Sequence, residues 1–257
     1  MNKTVSIVVL FFTIFLSCHT DNDDKANNTT VSFNFSHHWD GTPVTNQDFN
    51  VIKFTNENGE QLSIERLRYL ISDITFTKQS GEVLKTNDYN LVDVTNGENL
   101  TFTSTMIIPN EIYSNLSFTF GFKNEKNTDA VYQDLNTASW FVPAMLGGGY
   151  HYMQFDGKFI NNSSIEQGFN YHAIRAVDTS GSEPIFPQDT FIIVNLGPVT
   201  VNNNSTFNIE MNIAEWFKNP NTWNLNTYNQ MLMPNVSAQI MMFENGQNAF
   251  SLKSIEQ

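Results

Sequence analysis

The sequence predicts an all-β fold, a β-sandwich or barrel-like single domain with a few short helices. Three observations carry this. Short runs of alternating apolar and polar residues recur along the chain, the period of a strand with one buried face. Turn signals such as Asp40-Gly41, Asn58-Gly59 and Ser80-Gly81 separate them. Strands do not alternate with long helical patterns, and no period of 20–50 residues marks a solenoid or propeller.

The chain begins with a segment of different character. Residues 1–17 carry one lysine and then an apolar run over 5–16. That run is shorter than the roughly 20 residues needed to cross a bilayer. It has the form of a secretory signal peptide, with small Ser17 before the cut. Cys18, the only cysteine, follows at once. The stretch Phe15-Leu16-Ser17-Cys18 resembles a bacterial lipobox, in which the cysteine is diacylated and becomes the first residue. Lipidation at Cys18 leaves no thiol, so disulfides, thiolate metal sites and cysteine catalysis are excluded. Residues 18–30 then read as the lipidated cysteine and a disordered acidic tether. Its Asp21-Asn22-Asp23-Asp24 resembles the tag that sends some lipoproteins of the Bacteroidetes to the cell surface. The expected location is the outer membrane, lipid-anchored, facing the surface or the periplasm.

Residues 31–252 form the expected β domain. Residues 31–39 alternate cleanly, with Phe33, Phe35, His37 and Trp39 on one face and His38 on the other. Pro43 is expected to stop the ladder after the Asp40-Gly41 turn. Residues 50–55 read as a strand ending at Asn58-Gly59. Residues 63–76 open on a short helical turn and continue as a strand rich in Ile, Thr and Phe. Residues 90–95 and 116–122 are further strands. Residues 127–135 are a polar connector with one helical turn. Gly147-Gly148-Gly149 permits tight or left-handed backbone before a strand carrying His151, Met153 and Phe155 on one face. The partner segment puts His172 on a face with Asn170 and Ile174. Residues 191–196 suit a buried strand and 205–213 alternate again. Residues 214–220 make one helical turn stopped by Pro220. Residues 233–246 form a short amphipathic helix, 249–252 close the domain, and 253–257 are a tail.

Charge and motifs narrow the function. With 13 basic and 26 acidic residues the formal net charge is −13. This opposes nucleic-acid binding and favours cations or plain solubility. No nucleophile elbow, phosphate loop, H-E-x-x-H or EF-hand loop occurs, so no enzyme activity is expected. Histidine and methionine remain, and imidazole and thioether suit copper. The candidate ligands are His37, His172, His151 and Met153.

Six segments in order carry a family resemblance: Phe35-Ser36-His37-His38-Trp39-Asp40-Gly41, Leu67-Arg68-Tyr69-Leu70-Ile71-Ser72-Asp73-Ile74, Gly149-Tyr150 through Asp156-Gly157, Phe169-Asn170-Tyr171-His172, Ala214-Glu215-Trp216-Phe217-Lys218-Asn219-Pro220, and Glu244-Asn245-Gly246 before Phe250-Ser251-Leu252. Together they resemble the MbnP-like copper-binding proteins associated with methanobactin gene clusters. The resemblance implies an all-β fold that binds copper or a copper-bearing ligand. It places His37 and His172 at family histidine positions. It also implies an oxidised tryptophan beside the copper, for which Trp39 is the candidate. A second reading keeps the fold without metal, as a binding or adhesion lipoprotein contacting glycans or a cell-surface protein. No protein partner is specified by the sequence.

Overall fold

The computed structural model describes residues 28–257; the expected signal peptide, Cys18 and the expected tether as far as residue 27 lie outside the described residues. The main strands are β1 (Ser32–Trp39), β2 (Arg66–Lys78), β3 (Tyr89–Asp93), β4 (Ile112–Phe120), β5 (Met153–Ile160), β6 (Glu166–Ala173), β7 (Ile192–Thr200), β8 (Thr206–Asn212) and β9 (Phe250–Glu256). The α-helices are α1 (Gln133–Thr137) and α2 (Val236–Gly246).

One sheet has the order β9-β8-β1, with β8 parallel to β1. The larger sheet has the order β7-β4-β2-β5-β6. Its centre is β2, whose 13 residues are long enough to pair β5 through Arg66–Tyr69 and β4 further along. On its other side β2 pairs β3. The alternating aromatics of both sheets meet in one core. Phe35 meets Tyr69 edge to face at 6.3 Å, and Phe118 meets Phe250 at 5.3 Å and 90°. That geometry suits the ring quadrupoles, negative on the face and positive at the edge.

The hairpin β5–β6 positions the candidate residues Met153 and His172. Its register pairs Gln154 with His172, Phe155 with Tyr171 and Asp156 with Asn170. Strand alternation then sorts the side chains. Met153, Phe155 and Phe159 enter the core, while Gln154, Asp156 and His172 take the opposite face. Helix α2 fastens the far end of β6. Buried Gln239 accepts from Ile174 N at 2.8 Å and donates to His172 O at 2.8 Å and Leu232 O at 3.0 Å. A buried amide with these groups bonded avoids the cost of an unpaired polar group.

Several elements differ from expectation. Asn28 and Thr29, placed in the tether, pair with Pro109 and Ile108. The expected tail is β-strand, since Ile255 and Glu256 pair with Phe207 and Thr206. Pro43 does not end its ladder, because Thr42–Pro43 forms a two-residue strand against β1. No helical turn precedes β2. β7 is not fully buried; its partner within the sheet is β4, and Ile193 remains 39 % exposed. A continuous apolar run cannot distinguish an edge strand from a central one.

Candidate functional site

The end of the outer face of β5 and β6 at Gln154 and His172 is covered by the chain between α1 and β5. The glycine stretch makes this possible. Gly147, Gly148 and Gly149 have φ of 89°, 68° and 77°, where other residues are strained. Asp129 accepts from Gly149 N, and Asn127 Oδ1 accepts from Tyr150 N at 2.8 Å. Phe141 bridges to Tyr150. The two limbs of this loop bring Trp140 and His151 together over Gln154 and His172.

His151 is 4 % exposed. Its Nδ1 lies 3.0 Å from the carbonyl oxygen of Trp140. A carbonyl can only accept, so Nδ1 carries the hydrogen. Nε2 therefore keeps its lone pair, and it is buried without a hydrogen-bond partner. Burial lowers the His151 pKa to about 4, helped by the charges of His172, Arg66 and Arg68 and opposed by the bond to Trp140. The ring is neutral at pH 7.

The His172 ring centre is 5.4 Å from that of His151, with the planes at 83°. Its Nε2 is 2.8 Å from Asp156 Oδ1. Asp156 also accepts from Asn170 at 2.7 Å and pairs with Arg66. Burial alone would raise the Asp156 carboxyl, but His172, Asn170 and Arg66 outweigh it and hold the pKa at about 2. An ionised carboxylate only accepts, so Nε2 donates, and Nδ1 is the ring nitrogen left to meet a ligand. The Trp140 ring lies 5.7 Å from His151, and the Arg68 guanidinium lies 5.2 Å from the Trp140 ring. Trp140 Nε1 and Arg68 Nε are also buried and unpartnered. Among the described residues, no three His, Cys, Asp or Glu side chains gather in a metal-holding arrangement.

The other candidates stand elsewhere. His37 enters the core from β1, and its Nε2 is 3.0 Å from the Tyr69 hydroxyl. Tyr69 precedes Leu70 and follows Arg68, and it faces inward where Arg68 faces outward. The larger sheet thus separates His37 from His172, and the two do not form the expected pair. Met153 is fully buried on the inner side, facing away from His172. Trp39 stacks on Phe54 at 4.9 Å, and its Nε1 donates to Thr55 O. The tryptophan beside the histidine pair is Trp140. His38 lies outward, with Nδ1 accepting from Gly41 N at 2.9 Å.

His37 gives a testable pH dependence. Burial, then the neighbouring His38, lowers its pKa to about 4. Between the unfolded value near 6.5 and this one, the unfolded chain binds a proton that the folded chain refuses. Stability therefore falls as pH drops through that window, by up to about 1.4 kcal/mol per pH unit for each such histidine. Thermal melts from pH 7 to 4.5 should fall less steeply for His37→Leu than for the unsubstituted protein. Equal slopes would show that His37 is not kept neutral by the fold.

Asp156 and Trp140 were not among the candidate residues. The signal for Asp156 is the hairpin register, which sets it beside Asn170 and two residues along from His172, on the same face. Nothing local marked Trp140, because its approach to His151 depends on how the glycine loop closes.

A family model described as MbnP matches residues 28–240. The solved structure of MbnP from Methylosinus trichosporium is similar with a TM-score of 0.52 at 12 % sequence identity, covering 74 % of this chain and 78 % of that one. At that identity the likeness is one of fold. None of the curated proteins compared with the chain matches it.

Proposed function

The chain belongs to the MbnP family, and from that premise we propose that it binds copper between His151 and His172, as a lipid-anchored binding protein and not as an enzyme. The observation that carries the site is the lone pair on His151 Nε2, buried and without a hydrogen-bond partner. Leaving such an atom unpaired costs about 1–3 kcal/mol, which a metal would remove. Both rings also have the supports that ligating histidines use: the other nitrogen donates to a carbonyl or a carboxylate, fixing tautomer and orientation. Trp140 O serves His151, and Asp156 serves His172.

Imidazole nitrogen suits copper among the first-row metals. Bound copper would supply a redox-active ion, while the chain supplies position and charge. Arg66 is paired with Asp156, but Arg68 bonds Gln154 and a backbone carbonyl and keeps its charge beside the pair. A nearby cation whose hydrogen bonds go to neutral groups opposes a divalent ion more than a monovalent one. The buried surroundings act in the same direction, so the reading is Cu(I). The oxidised tryptophan implied by the family resemblance belongs at Trp140 under this reading, and the intact mass of a peptide containing it would report the change. The purified mature protein should retain Cu(I) against a chelator that strips Cu(II). Retention of neither ion would reject the site.

The anchor is proposed from residues 15–18. Two acyl chains give stable membrane attachment, each buried methylene contributing about 0.8 kcal/mol. Cys18→Ala should move the protein from the membrane pellet to the soluble fraction. Unchanged pelleting would reject lipidation at this residue.

A further inference from the structure

A cavity of about 740 Å³ opens on the outer side of His172. Three of the nine methionines, Met145, Met231 and Met233, line it. Met145 comes from the glycine loop, and the other two come from the segment before α2. No Asp, Glu, Lys or Arg side chain contributes to the lining; beside His172 it is apolar or neutral, as at Leu146, Leu232 and Asn170. Met145 and Met231 are each 78 % exposed. Both side chains therefore lie at the mouth, open to solvent, and not in the core. Met231 sits there with φ of 55°, a backbone region uncommon for residues other than glycine.

The chemistry of this lining is selective. Hard cations need oxygen ligands and carboxylates, and the lining has no carboxylate. Thioether sulfur is a soft ligand that favours Cu(I). Methionine is unbranched with rotatable bonds, so Met145 and Met231 at the mouth and Met233 in the wall can converge on an ion. The net charge of −13 raises the local concentration of cations. We propose that this cavity is a second, thioether site for a soft monovalent ion, Cu(I) or Ag(I), which captures the ion and passes it inward to His172. The transfer half of this inference rests on the copper reading of the histidine pair; the thioether site does not.

Silver(I) is the probe, because it has no accessible redox change under these conditions. Native mass spectrometry of the purified mature protein should show two Ag(I) ions bound. The triple variant Met145→Leu/Met231→Leu/Met233→Leu keeps the volume and apolarity of the cavity; it should lose one ion and keep the other. The double variant His151→Gln/His172→Gln should lose the inner ion and keep the thioether one. Met145→Leu alone, at an exposed position that cannot unfold the domain, should weaken the outer ion. In the unsubstituted protein, Ag(I) should shift the methyl NMR signals of these three methionines. A triple variant that binds Ag(I) with unchanged stoichiometry and affinity overturns the thioether site. A double variant that loses nothing overturns the histidine pair instead, so the two failures are distinct.

Discussion

His151→Phe and His172→Gln are each expected to abolish copper retention at the inner site while leaving the metal-free fold nearly as stable as before. The pair of results follows from the hydrogen bonds. His151→Phe removes the Nδ1 bond to Trp140 O, worth about 1 kcal/mol. It also removes the buried unpaired Nε2, which costs about as much. The carbonyl keeps a donor, because the His151 backbone N also reaches Trp140 O at 3.0 Å. The net change in stability is near zero, whereas the loss of one of two imidazoles removes the inner site. His172→Gln leaves Asp156 bonded to Asn170 and Arg66. Asp156→Asn should behave differently, lowering affinity on the order of 10–100-fold without abolishing binding, because it only orients His172. His37→Leu, Met153→Leu and Trp39→Phe should retain copper in full, since those side chains lie in the core. Copper dialysis with quantitation separates these variants, and thermal melts confirm that each is folded. Copper lost from His37→Leu and kept by His151→Phe would return the site to the core side of the sheet.

The sequence made the fold class legible because period-two alternation is a local property. β1, β4 and β8 could be read from Phe33 and Phe35, from Phe118 and Phe120, and from Phe207 and Ile209. The inward direction of His37 was legible for the same reason. Its partner was not. Whether a buried imidazole meets a tyrosine hydroxyl or another imidazole depends on which strands become neighbours, and the parallel pairing of β1 with β8 spans 174 residues between Asn34 and Asn208. Met153 shows a different limit. It was placed correctly on an apolar face, but apolar faces supply ligands only when the other ligands share them, and His172 takes the opposite face of the hairpin. Extending the alternation back along the chain groups His151 with Met153. Strand β5 starts at Met153, so the alternation does not reach His151. The loop closure by Asp129 and Asn127 orients it instead. Composition does not mark the ends of the domain: Asn28, Thr29, Ser254 and Glu256 are polar, yet backbone pairing does not need apolar side chains.

Gly157→Ala is expected to cost roughly 4 kcal/mol of stability and to weaken copper binding even where the protein stays folded. A Cβ at Gly157 would lie 2.0 Å from the carbonyl oxygen of Ser63 and 2.7 Å from the Phe169 ring. The phenyl ring could shift, but the carbonyl belongs to backbone held by hydrogen bonds on both sides. Ser63 N donates to Lys158 O at 2.7 Å, and Glu65 N donates to Asp156 O at 2.8 Å. Overpacking of this kind costs about 1–3 kcal/mol, and displacing β5 strains ladder bonds worth about 1 kcal/mol each. At roughly 2–4 °C per kcal/mol for a domain of this size, Tm should fall by about 10 °C. The same displacement moves Asp156, the residue next in sequence, away from His172, so affinity should fall on the order of tenfold or more. Gly168→Ala is the control within the same hairpin. There a Cβ would meet its nearest atom, Gly157 O, at 3.9 Å, an ordinary contact. Its stability should change by about 0.5 kcal/mol or less, and its copper binding should be intact. Equal melting temperatures for the two variants would mean that β5 does not pass as close to Ser63 as the fold requires, and Asp156 would then not be fixed under His172.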